Sequence, residues 1–162
     1  MNYFDEESDK ILSSSTRQLF NHWKKDTDFE NIKKDTNLII HVASLHGKYV
    51  EILNKVKMMI YYKEISFKKK EVLKRKHYQG QLSNEIIKKL GWALDPFSDN
   101  ARPERINKTN LDKLLENDPY LNKIKKELII LNNDKTALEY IVPQIQYSLP
   151  KLLDAYLQRK LL

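Results

Sequence analysis

Apolar residues recur at three- and four-residue steps through most of this chain, the spacing that places side chains on one side of an α-helix. The strongest run is C-terminal. Leu121, Ile124, Leu128, Leu131, Lys135, Leu138, Val142, Ile145, Leu149, Leu152 and Tyr156 alternate steps of three and four, and only Lys135 among them is polar. A heptad seam of this kind zips against another helix, so residues 119–158 are expected to be assembly helices. Asn117 and Asp118 are candidate caps ahead of Pro119, which suits a first helical position because an N–H there has no helical partner anyway. Pro143 and Pro150 lie within the seam. Each removes a backbone hydrogen bond, which predicts a bent rod or two helices sharing one face.

A second long helix is predicted over about residues 44–79. Neither Gly nor Pro occurs from Lys48 to Gln79, Tyr49, Ile52, Val56, Met59, Ile60, Lys63 and Phe67 keep helical spacing, and Gly80 follows as a C-terminal cap. Ser13-Ser14-Ser15-Thr16 can cap a short helix through Leu19 and Trp23, Asp26–Ile39 carries a weaker helical pattern, and Ser83-Asn84-Glu85 opens a brief helix that Gly91 ends. The turn-rich segment from Asp95 to Pro103 reads as a hinge between two halves. The run Leu38-Ile39-Ile40-His41-Val42 is too short to argue for a sheet. The expected fold class is all-α: one long basic helix plus C-terminal heptad-patterned helices that assemble into a homo-oligomer. Residues 1–22 read as an N-terminal extension and residues 23–162 as a single helical domain.

Composition agrees with a packed domain. The 162 residues are 41% hydrophobic and 31% charged, with few glycines and prolines, which excludes a disordered or collagen-like chain. There is no cysteine, so no disulfide framework or thiolate chemistry is available. The acidic start (Asp5, Glu6, Glu7, Asp9) is unlike a secretory signal, and no apolar run approaches the ~20 residues that cross a bilayer. A soluble, cytoplasmic protein without a membrane role is expected. Enzymatic patterns are missing as well. Three widely separated glycines cannot build a phosphate-cradling loop, and His22, His41, His46 and His77 include no helical pair flanking a glutamate. The expectation is no catalytic activity, no cofactor and no metal.

Charge placement is the informative feature. Residues 63–76 hold seven bases (Lys63, Lys68, Lys69, Lys70, Lys74, Arg75, Lys76) and two acids, which puts +5 of the net +7 into 14 residues. Tyr61, Tyr62 and Phe67 precede or interrupt the run, and His77 and Tyr78 close it. Cations that neutralise phosphates beside rings that stack on unpaired bases are what single-strand binding requires. Core packing is the expectation for at least two of Tyr61, Tyr62 and Phe67, because aromatics at helical spacing usually pack. At about 100° per residue, Lys68, Lys69, Arg75 and Lys76 fall in one sector of the helix and Lys63, Lys70 and Lys74 in another. That division argues against a membrane-surface helix, which would want one broad apolar face opposite its lysines. A solvated face with no ligand is the remaining alternative.

Leu45-His46-Gly47-Lys48-Tyr49, then the basic stretch closing in His77-Tyr78-Gln79-Gly80, then Leu90-Gly91-Trp92, resembles the UvsY family of phage recombination mediators in order and spacing from about Trp23 onward. Val72 stands where some relatives carry a base, and His77 replaces the first tyrosine of the family's turn. The resemblance implies a non-catalytic protein of recombination, replication and repair. Such a protein binds single-stranded DNA, contacts the single-stranded-DNA-binding protein coating it and a RecA-like recombinase, and helps load that recombinase. In a phage setting it would work in the host cell cytoplasm. The expected DNA-binding residues are Lys63, Lys68, Lys69, Lys70, Lys74, Arg75, Lys76 and Tyr78. The family also self-associates through its C-terminal region, which implies a closed ring held by Leu121, Ile124, Leu128, Leu131, Leu138, Val142, Ile145, Leu149 and Leu152. The competing reading is a structural coiled-coil protein whose lysines only keep it in solution.

Overall fold

The computed structural model describes residues 16–28, 32, 38–98 and 106–161. The acidic start, the serines at 13–15 and most of the weak pattern after Asp26 lie outside the described residues. Among the described residues all regular structure is helical: α1 (Thr16–Asp26), α2 (Leu38–Tyr78), α3 (Asn84–Lys89), α4 (Lys108–Glu116), α5 (Pro119–Pro143), a π-helical turn (Gln144–Ser148) and α6 (Leu149–Leu161). The chain divides into two compact units: the described residues of Met1–Ile60 with those of Ile129–Leu162 form one, and Tyr61–Leu128 form the other. Helices α2 and α5 contribute to both.

Helix α2 starts at Leu38, earlier than its spacing predicts, because the run at 38–42, with β-branched Ile39, Ile40 and Val42, is taken into the helix with Ile39 and Ile40 exposed. Its end falls where expected. Gly80 adopts φ 69°, its N–H donates to the His77 carbonyl at 3.0 Å, and the Gln81 N–H donates to the Lys76 carbonyl at 2.9 Å. Those paired bonds satisfy the last carbonyls of the helix in a left-handed conformation that costs glycine little. Gly91 closes α3 in the same way, with φ 69°, after Ser83 caps its start. Helix α4 was not visible in the pattern. It starts at the Asn107 cap and spans nine residues, too few for a period to emerge from Leu111, Leu114 and Leu115.

In the first unit, Leu19 of α1, Tyr49, Ile52 and Val56 of α2, and Leu131, Leu138 and Ile141 of α5 are buried. Helix α1 is tied down by polar contacts as well: Asp26 accepts from the Tyr49 hydroxyl at 2.9 Å and pairs with Lys48 at 3.2 Å, while the Thr16 hydroxyl donates to Asp134 Oδ1 at 2.7 Å. Residues 16–22, assigned to a terminal extension by sequence, therefore belong to the packed unit.

Asp134 is fully buried, and its Oδ2 has no hydrogen-bond partner among the described residues. Burial raises its pKa by more than the Thr16 hydrogen bond lowers it. A carboxyl whose folded pKa exceeds its unfolded value favours the fold when protonated. That contribution is complete below the unfolded pKa of about 3.9 and is lost as pH rises through the folded value. Asp134→Asn is accordingly expected to raise the melting temperature at pH 7, with the gain shrinking as pH falls toward the unfolded pKa. Thermal unfolding across a pH series checks this, and a gain independent of pH would mean that the charge is not the cause.

The seam is interrupted between its two prolines. Pro150 has no N–H to offer the preceding turn, and the chain widens there: the Leu149 N–H reaches back five residues to the Gln144 carbonyl. The wider turn advances the buried line by one residue. Ile145, Leu149 and Leu153 are buried, whereas Leu152, the residue the heptad spacing selects, is 55% exposed.

In the second unit, Tyr78, Phe97, Leu111, Leu115 and Leu121 form the core, with Phe67 and Leu114 packed against it. The turn at Asp95–Ser98 is anchored there, since Phe97 is buried and its N–H donates to Asp95 Oδ1 at 3.0 Å. The stretch read as a hinge thus begins inside one unit.

Candidate nucleic-acid interface

From Tyr61 to Tyr78, α2 presents two sides of different character. The side turned into the second unit carries Lys63, Lys70, Lys74 and Tyr78, within an arc of about 80° on the helix. Asp118 is the hub of this side. It is 1% exposed, accepts from the Tyr78 hydroxyl at 2.9 Å, pairs with Lys74 Nζ at 3.0 Å, and accepts from the Leu121 N–H at 3.0 Å through its other oxygen. Capping α5 and neutralising a buried lysine are therefore done by one carboxylate. Three donors on a buried carboxylate compensate for the loss of its hydration.

Aromatic rings close over the other side of Lys74. Its Nζ lies 4.4 Å from the Trp92 ring centroid and 5.8 Å from that of Tyr120, and the two rings meet edge to face at 5.7 Å. With only 12% of its side chain exposed, Lys74 is held by a carboxylate and two π-faces. His77 stacks on Trp92 at 5.5 Å. Burial, together with the Lys74 ammonium, lowers the His77 pKa by more than the backbone of Ala93 and Leu94 and the Asp118 carboxylate raise it. Burial and the hydrogen bond to Asp118 raise that of Tyr78. Lys63 pairs with Glu127, and Lys70 Nζ sits 5.9 Å from the Tyr120 ring centroid. Of the eight residues expected to bind DNA, Lys63, Lys70, Lys74 and Tyr78 thus have partners within the unit. Tyr78 and Lys74 in particular are packed into it rather than presented to a strand.

The opposite side holds the other sector. Lys68, Lys69 and Lys76 are exposed, and no carboxylate pairs with them among the described residues. Arg75, on the flank, pairs with Asp112 at 3.0 Å while both side chains keep partial exposure. The aromatics divide differently from expectation. Phe67 packs against the core, but Tyr61 and Tyr62 are each 61% exposed. The reason is angular: at about 100° per residue, Phe67 shares the sector of Lys63 and Tyr78, while both tyrosines fall with Lys68, Lys69 and Lys76.

The heptad residues are engaged within one chain. Leu121, Leu131, Leu138, Ile145 and Leu149 are buried, and Ile124, Leu128 and Val142 are partly so. Leu152 alone of the nine is exposed. Sequence reading placed Asp118 only as a cap and did not assign Trp92 or Tyr120 a role, because the cage is assembled from two helices, α2 and α5, and from the connections that follow α3 and precede α5. Among the described residues, no three His, Cys, Asp or Glu side chains are grouped to hold a metal ion, and no helix is long and apolar enough to cross a membrane. Compared with known proteins, the chain matches no protein family, no curated protein and no solved structure.

Proposed function

We propose that the protein is a non-catalytic recombination mediator, which binds single-stranded DNA and helps load a RecA-like recombinase onto strands coated by single-stranded-DNA-binding protein. The observation that carries this reading is the outward sector of α2, where Lys68, Lys69 and Lys76 stand exposed without carboxylate partners among the described residues. Cations left free in this way attract phosphate by releasing the counterions condensed around it. The motif resemblance supplies the biological role. Self-association would array several copies of this sector, so that weak contacts act together. Because most heptad residues are buried in the single chain, assembly would draw instead on outward residues of the C-terminal helices such as Ile129, Ile130 and Tyr147.

A salt titration tests the reading. Single strands show a slope of about −0.7 in log affinity against log salt for each phosphate contacted. Three lysines therefore predict a slope of about −2 or steeper for oligo-dT. A flat dependence, or no binding in dilute buffer, would favour the structural coiled-coil alternative.

A further inference from the structure

The geometry points to Tyr61 and Tyr62 as a stacking platform for unpaired nucleobases, set at the head of the outward lysine sector. This inference rests on the nucleic-acid reading above and adds to it the groups that tell unpaired strands from duplex. Both rings are exposed although large aromatics ordinarily bury, and nothing in the second unit's core calls for them. Their centroids lie 5.6 Å apart with the planes inclined at 65°, so they meet edge to face, which engages one face of one ring and leaves the remaining faces for a base.

Position along the helix adds the second argument. Lys68 follows Tyr61, and Lys69 follows Tyr62, at an interval of seven residues; Lys76 follows Lys69 at the same interval. Seven residues are two helical turns, so ring and cation recur on one side of α2 about every 10 Å. The five side chains fall within an arc of about 120°. A strand lying along that arc meets phosphate-neutralising charge and ring faces together, the combination that binds single strands with little sequence preference. Duplex DNA offers the same phosphates, but its bases are already stacked and paired. The lysines should therefore hold either form, and the tyrosines should act on the single strand alone. Glu64, exposed on the flank, and Glu71, two turns on and less exposed, are acids beside this arc that oppose phosphate.

The test compares the native protein with Tyr61→Ala/Tyr62→Ala and Tyr61→Phe/Tyr62→Phe, measuring anisotropy of labelled oligo-dT and of a duplex of equal length. The alanine pair is expected to weaken oligo-dT binding by about tenfold for each base that loses its ring. Duplex affinity and the salt slope should stay unchanged, and the phenylalanine pair should restore binding, since the ring and not the hydroxyl stacks. Three results would overturn the inference while leaving the lysine sector standing. These are undiminished oligo-dT binding by the alanine pair, an equal loss for duplex, or a drop in solution mass showing that the tyrosines join copies of the chain. Failure of the native protein to bind oligo-dT would instead remove the nucleic-acid reading itself.

Discussion

Replacing Asp118 with alanine is expected to lower the free energy of unfolding by about 3–5 kcal/mol, the range for stripping one partner from a buried ion pair. The loss has several sources at one position. Lys74, 12% exposed beneath Trp92, would keep its charge without its counter-ion. The Tyr78 hydroxyl would lose its acceptor in the buried core, and the Leu121 N–H would lose its cap. Domains of this size hold only about 5–15 kcal/mol in total, so the variant should be marginal at 37 °C. Asp118→Asn should fall between the native protein and Asp118→Ala, because the single amide oxygen keeps the cap on Leu121 while the NH2 group offers Tyr78 no acceptor and Lys74 no counter-charge. Urea denaturation followed by circular dichroism measures both variants. A native midpoint for Asp118→Ala would show that the carboxylate contributes nothing net.

The second large effect separates the two sectors of α2. Lys68→Ala/Lys69→Ala/Lys76→Ala is expected to flatten the salt dependence of oligo-dT binding by about 2 units of slope. Raising salt from 50 to 200 mM would then cost the native protein roughly twentyfold more affinity than it costs the variant. The urea midpoint should hardly move, since these side chains are exposed and pair with no carboxylate among the described residues. Lys74→Ala should do the reverse, destabilising the unit while leaving the slope nearly intact. If Lys74→Ala flattened the slope and the triple variant did not, the inward sector would be the DNA surface and the assignment would be inverted.

Much of the fold was legible because helices announce themselves locally. The end of α2 at Gly80, the opening of α3 at Ser83 and the Asp118–Pro119 start of α5 each follow from residue chemistry within one turn. The angular split of the lysines was legible too, for a wheel needs only the residue numbers. Which sector faced the protein was not, because that depends on Glu127, Asp118 and Tyr120, which come from a helix and its approach more than forty positions downstream of the first lysines. The buried line around residue 134 was misread for a simpler reason. Steps of three then four, or four then three, both lead from Leu131 to Leu138, and the pattern cannot choose between Asp134 and Lys135. The motifs that carry the resemblance turn out to be joints: Lys48 and Tyr49 hold α1, while Tyr78 shares the Asp118 carboxylate with Lys74 and Trp92 covers that lysine.

The widened turn at Gln144–Ser148 is equivalent to one surplus residue in an otherwise regular coil. A variant lacking a single position between the two prolines could wind through without the detour and still present Leu153 to the interior. A one-residue deletion should therefore be tolerated better at that spot than elsewhere in α5 or α6, because there it changes the winding of the backbone and not the identity of what lies inside.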